Sequence, residues 1–296
     1  MMRKALSKMA QIRLAASAAV LAAVTMSVVP SPLKSQASAQ DRVLSIGGSV
    51  TEIVYALKQE HRLIARDTTS SFPAEVMDLP DVGYMRALSP EGVLSVGPNL
   101  IISEDGAGPQ ETIDALEAVS IPFITVPDGY SAEGVIEKIR VVGRALDVDA
   151  AAAVLADEIA NGFEQAAENL KKVDDPKRVL FILSTQGGRI LASGTETAAH
   201  GIIEMAGGIN AITSFTGYKP LTDEAVALAA PDVILMMDRM GDHQTDTDEL
   251  FAMPALVPTP AAREKAIVRM NGLYLLGFGP RTAQAALDLN TALYGQ

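Results

Sequence analysis

Tyr84 and Arg86 stand two residues apart in the segment from Asp81 to Gly92, Asp-Val-Gly-Tyr-Met-Arg-Ala-Leu-Ser-Pro-Glu-Gly, just ahead of a helix start. In an extended segment the side chains at i and i+2 point the same way, so the spacing predicts a guanidinium beside a phenol. A neighbouring cation favours phenolate over phenol. A phenolate is a hard anionic oxygen donor that suits ferric iron, whether the iron is bare or held in a haem. The same spacing also fits a solvated surface pair, in which the arginine stem merely covers a ring.

The three histidines are the rival donors. His61 follows the first helix and reads as a solvated helix end. His243 sits in the polar loop 241–248, whose carboxylates lack the spacing of a calcium-binding loop. His200 opens a helix at a place that could face a cleft. Ser49, His200 and an aspartate would supply the parts of a secreted hydrolase, but no G-x-S-x-G elbow holds the serine, so the residues point to binding rather than catalysis.

The elements that must position these residues alternate between strand and helix. The runs Val43–Ile46, Leu63–Ala65, Leu100–Ile102 and Phe123–Val126 read as buried strands, with helices over 52–58, 111–119 and 132–146. Ser49 or Thr51 reads as the cap of the first helix. From Ala150 to about Lys172 an alanine-rich, proline-free stretch predicts one long helix. The pattern restarts with strands over 178–183, 233–237 and 266–270 and helices over 197–206 and 281–293. Alternation of this kind implies parallel strands with crossover helices. Gly47-Gly48 and Gly187-Gly188 each follow the first strand of a half. Neither matches a dinucleotide or phosphate loop, so both read as tight turns.

An internal repeat makes the halves two lobes. Residues 88–102 align without a gap to residues 221–235, at a constant offset of 133. In each copy a hydroxyl cap (Ser89, Thr222) starts a short helix that stops before a proline and an apolar strand. The expected fold is therefore α/β, with two doubly wound, Rossmann-like lobes joined by one long α-helix and a ligand cleft between them. The expected division is 40–148, 149–173 and 174–296.

Residues 1–39 carry five basic and no acidic side chains, an apolar run from Leu14 to Val29, and Ala37-Ser38-Ala39 as a small-x-small cleavage signal, which predicts a removable signal peptide. The run is too short and alanine-rich for a membrane span, so no membrane insertion is expected. The chain has no cysteine, which excludes disulfides, thiolate metal sites and a lipidated cysteine. Export without a lipid anchor points to a periplasm. The net charge of −12, more negative still once residues 1–39 are removed, argues against nucleic acid as a partner.

Taken together, the two helix-linked lobes, the exported acidic chain, Gly47-Gly-Ser-Val-Thr-Glu52, the segment from Gly83 to Gly92, Asp105-Gly-Ala-Gly-Pro109 and Leu276-Gly-Phe-Gly-Pro-Arg281 resemble the haemin-binding proteins of bacterial haem ABC importers. That class also carries ferric siderophores and cobalamin, which are the alternative ligands. The resemblance covers nearly the whole chain after residue 39 and implies a monomeric, non-enzymatic protein. Such a protein hands ferric haem b to an inner-membrane permease and its ATPase. It makes Tyr84 the haem-iron ligand and follows the arginine pattern at Arg86. The remaining haem contacts are expected from Met85, Tyr218, Lys219 and Arg239, with Met237 and Met240 as further ring contacts. One haem per chain is expected. Arg281 is expected to cap backbone carbonyls between lobes. Glu91 and Glu224, at matching positions of the repeated helices, are expected to dock on the two-fold symmetric permease, or else simply to complement their helix dipoles.

Overall fold

Short apolar runs bounded by glycine and proline give buried strands here, and most strands lead on to a helix. The computed structural model describes residues 42–170, 173–238 and 246–295. Its first half runs β1 (Val43–Ile46), α1 (Gly48–Ala56), β2 (Leu63–Arg66), α2 (Pro90–Ser95), β3 (Leu100–Glu104), α3 (Gln110–Glu117), β4 (Phe123–Val126) and α4 (Ala132–Ala145). The strands form a four-stranded parallel sheet in the order β2-β1-β3-β4. Next comes α5 (Asp149–Leu170), whose 22 residues span about 33 Å at the helical rise.

The second half runs β5 (Arg178–Ser184), β6 (Leu191–Ser193), α6 (Ala198–Met205), β7 (Ile209–Asn210), β8 (Tyr218–Pro220), α7 (Asp223–Ala229), β9 (Val233–Asp238), α8 (Thr247–Phe251), α9 (Pro260–Arg263), β10 (Ile267–Asn271), α10 (Gly272–Leu276) and α11 (Thr282–Tyr294). Its sheet has the order β10-β9-β5-β6-β8, with β7 also pairing β5. Pairs among β5, β7, β9 and β10 are parallel. β6 and β8 add an antiparallel edge, which departs from the all-parallel expectation. Both are three residues long and β8 ends on Pro220, which a strand tolerates at an edge.

The repeat is real in three dimensions. β3 lies between β1 and β4 as β9 lies between β5 and β10, and β7 takes beside β5 the place of β2 beside β1. Both helix caps form: Ser89 Oγ accepts from Gly92 N–H at 3.1 Å, and Thr222 Oγ1 accepts from Ala225 N–H at 3.2 Å.

The cap expected at α1 does not form. The turn after β1 places Gly47 at φ 105°, a conformation open to glycine, and Gly47 has no side chain to cap with. Ser49 and Thr51 instead turn inward. Ser49 Oγ donates to Glu104 Oε1 at 2.7 Å, and Thr51 bonds Ser45 and Ser70.

Each half has its own core, around Leu44, Ile101 and Leu116 in the first and Leu180, Ile234 and Leu256 in the second. A third cluster spans both halves, joining Val50, Ile139 and Val142 to Phe181, Ile202, Leu235 and Leu289. The long helix is part of it through Ala152 and Ala156, so α5 is a packed element rather than a free strut. Among the described residues no helix is long and apolar enough to cross a membrane.

Candidate functional site

Loops at the carboxyl ends of the parallel strands face each other between the lobes, where α/β sheets place ligands. The chain leaving β2 is held by Arg66 Nη1 on Asp81 Oδ2 at 3.0 Å and by Thr68 N–H on Gly83 O at 3.0 Å. Gly83, at φ 104°, lets the chain swing into a turn closed by Ala87 N–H on Tyr84 O at 2.7 Å. Two further bonds, Gly108 N–H to Met85 O and Leu88 N–H to Gly108 O, fasten this turn to the Asp105–Pro109 loop.

The turn corrects the expectation of an extended Tyr84–Arg86 pair, because Met85 and Arg86 are its central residues. Met85, expected to contact the ligand, is 7% exposed and packs into the first-half core. Burying that one side chain anchors the turn. Tyr84 is 47% exposed, and its side chain has no hydrogen-bond partner among the described residues. Arg86 is exposed too.

Arg86 lies opposite the second lobe. Burial raises the pKa of Tyr218 above the usual phenol value, opposed by bonds from Thr197 and the Ala199 N–H and by the positive charge of Arg86. The Tyr218 ring also meets Phe181 edge-on at 6.3 Å. Alternation along β8 turns Lys219 to the other face, where its Nζ stands 5.2 Å from the Phe215 ring centroid. The charge of Arg86 thus bears on Tyr218, while Lys219 lies against Phe215. Arg239, Met240 and His243 lie outside the described residues. His200 is engaged within its own lobe, with Nδ1 3.4 Å from Asn210 Nδ2 and Nε2 3.5 Å from Glu204. His61 sits in a short 3₁₀ turn, Glu60–Arg62.

Beneath the cleft runs a polar network. Lys138 Nζ is fully buried and contacts both Glu104 Oε1 and, at 3.1 Å, Asp128 Oδ1. Tyr130 donates to Asp128 Oδ2 at 2.8 Å, and its pKa is pushed well above the phenol value, by burial first and then by that carboxylate. The Tyr130 ring packs edge-on against Phe278 at 5.4 Å. Gly201 of α6 comes so close that an added Cβ would stand 3.0 Å from Tyr130 Cβ. Burial raises the Glu104 pKa against the pull of Lys138.

Among the described residues Arg281 bonds no backbone carbonyl. It crosses to the first half and grips Glu52 with two bonds, Nε to Oε2 at 2.8 Å and Nη2 to Oε1 at 2.6 Å. Its guanidinium carbon stands 3.6 Å from the Phe72 ring centroid and 5.0 Å from that of Tyr274. Burial raises the Glu52 pKa, with Arg281 opposing. Folded Glu52 therefore holds its proton more tightly than the unfolded chain does. Its contribution to stability falls as pH rises from the unfolded carboxylate value through the higher folded one. Urea midpoints measured between pH 4 and 7 should fall less steeply for Glu52→Gln than for the parent; parallel profiles would refute this origin.

A family model described as "Periplasmic binding protein" matches residues 43–272. The chain belongs to the periplasmic binding protein family. Among solved structures it is similar to "Periplasmic heme-binding protein BhuT in complex with two hemes", at 38% identity and a TM-score of 0.82, covering 86% of this chain and 97% of that one. It is 28% identical to the vitamin B12-binding protein of Yersinia pseudotuberculosis serotype O:1b (strain IP 31758) over 88% of this chain and 89% of that protein. It is 26% identical to the ABC transporter substrate-binding lipoprotein YvrC of Bacillus subtilis (strain 168), over 67% of this chain and 63% of that protein.

As a periplasmic binding protein the chain has two α/β lobes around a cleft and is a transport component rather than an enzyme. Among the described residues no group of three or more His, Asp or Glu side chains could hold a metal ion. Phe72, Asp128, Tyr130 and Lys138, and the partner of Glu52, are not among the residues that local sequence motifs single out. Two other signals were available. Lys138 falls on the apolar stripe of α4 with Val135, Ile139 and Val142, and Glu52 is the one charge in the apolar α1. A lone charge on a buried stripe demands a partner.

Proposed function

We propose that this periplasmic binding protein captures ferric haem b in its interlobe cleft and delivers it to an ABC permease and its ATPase in the inner membrane. The observation that carries the reading is Tyr84: an exposed phenol without a side-chain partner among the described residues, on a turn fastened at both ends, in a chain 38% identical to a haem complex. Tyr84 supplies the iron-ligating oxygen, and Arg86 and Tyr218 contact the haem from the two sides of the cleft. The lobes correspond to 40–148 and 174–296, with 149–173 linking them. Residues 1–39 are a signal peptide, and the mature protein is a periplasmic monomer. One relative is a lipoprotein, whereas this sequence has no cysteine to carry a lipid.

A cobalamin carrier is the second reading, favoured by the 28% identity to a B12-binding protein. Haemin and cyanocobalamin titrated separately into the purified protein separate the two. Haem bound by phenolate gives a high-spin charge-transfer spectrum, and its end point reads the expected one haem per chain. An unchanged haemin spectrum together with saturable cyanocobalamin binding would overturn the haem assignment.

Delivery is assigned to Glu91 and Glu224, both exposed at the second position of their helices. The Glu224 carboxyl is held below its ordinary range by its own backbone N–H and by Thr222. Glu91→Ala combined with Glu224→Ala should leave haemin affinity intact and remove most haem-stimulated ATP hydrolysis by the reconstituted importer. Full stimulation by the double variant would return both carboxylates to complementing their helices.

A further inference from the structure

Phe72 is 42% exposed although it is a large apolar ring. It lies on the loop that follows the carboxyl end of β2. The neighbouring Thr68 N–H binds Gly83 O, next to Tyr84, and Thr69 Oγ1 lies 4.0 Å from Met85 Sδ. The Phe72 loop and the Tyr84 turn are therefore side by side on the cleft wall. One face of the Phe72 ring is covered by the Arg281 guanidinium at 3.6 Å, and Arg281 comes from the other lobe.

Arg281 is itself immobilised. Glu52, whose side chain is 6% exposed, takes it in a two-bond fork, and Tyr274 flanks it. A planar guanidinium held this way fixes whatever stacks on it. The arrangement is costly by itself, because a buried carboxylate is desolvated to place one cation behind an exposed ring. Such a stack needs no exposed phenyl to be stable, so the exposed face requires a separate explanation.

We propose that Phe72 is a ligand-contacting wall of the cleft, and that Arg281, anchored by Glu52, is its positioning residue. The wall presents an apolar ring to a flat, largely apolar ligand beside the Tyr84 oxygen. The Glu52–Arg281 fork ties the wall to both lobes, so its placement depends on the lobes keeping their relative position. This rests on the haem reading and adds to it a contact residue on the first lobe and a positioning pair across the cleft.

The test is a double-mutant cycle read by haemin titration at the Soret band, with thermal unfolding as the control. Phe72→Ala should weaken haemin binding about tenfold while Phe72→Trp retains it, since an aromatic contact is worth up to about tenfold beyond its burial. Arg281→Lys keeps a charge for Glu52 but loses the flat fork, and should weaken binding about fivefold. The two losses should not add: Phe72→Ala with Arg281→Lys should bind about as weakly as Phe72→Ala alone, since the positioning residue acts only through the ring. Additive losses, or wild-type affinity in folded Phe72→Ala, would overturn the proposal while leaving the haem reading intact. If the parent protein binds cyanocobalamin instead, the same cycle run with that ligand decides the role of Phe72 separately from the identity of the cargo.

Discussion

Haemin added to the Tyr84→Ala protein should give a spectrum without the charge-transfer bands of phenolate-bound iron, and affinity should fall by more than about 100-fold. The magnitude follows from what weaker contacts are worth, since residues that merely support a metal ligand contribute about 10–100-fold. Tyr84 is 47% exposed and its side chain holds no other element in place, so the variant should unfold within about 0.5 kcal/mol of the parent. Tyr84→Phe separates the two roles of the side chain, because it keeps the ring and removes the oxygen. It should lose the same bands. Arg86→Ala should weaken binding less than either, since Arg86 sits at the centre of the turn and its charge also bears on Tyr218. An unchanged spectrum in Tyr84→Ala would remove Tyr84 as the ligand.

Lys138→Met should destabilise the protein by about 3–5 kcal/mol, the usual cost of removing one partner from a buried ion pair. Lys138 is fully buried and Glu104 nearly so, with side-chain exposures of 0% and 12%. Methionine fills much of the lysine volume, so the loss reports stranded charge rather than a cavity. Glu104 already has a raised pKa from burial, and without Lys138 only the Ser49 hydrogen bond opposes that rise. The penalty should therefore shrink as pH falls and the stranded Glu104 carboxylate takes up its proton. Lys138→Met with Glu104→Gln should recover part of the stability at neutral pH. Denaturant unfolding at pH 7 and pH 5 checks both points, and a loss under about 1 kcal/mol at pH 7 would show that the network contributes little. Asp128 and Tyr130 hang from the same lysine, so the variant should also loosen the cleft floor where Tyr130 packs on Phe278.

The repeat was legible because its signals are local. A hydroxyl accepting from a backbone N–H three residues on, a proline at the first helical position and an apolar strand are each written in a few consecutive residues, and Ser89, Pro90 and Thr222 do what their positions predict. The glycine turn after β1 was legible for the same reason, although the cap was not. At φ 105° the chain needs Gly47 itself, which freed Ser49 to reach Glu104, 55 residues away. β6 and β8 escaped notice because three-residue edge strands carry too few alternations to show a period.

By itself the sequence determined the α/β class, the two lobes, the interlobe cleft and the candidacy of Tyr84, since periodicity, caps and a repeat act over short stretches of chain. Tertiary structure alone decided which side chains meet. It turned the Tyr84 segment through a hydrogen-bonded turn, sent Met85 into the core and set Lys219 against Phe215. It also joined Glu52 to Arg281 across 229 residues. The physical reason is that a buried charge must find a partner wherever the fold brings one within reach, and distance along the chain says nothing about that distance in space.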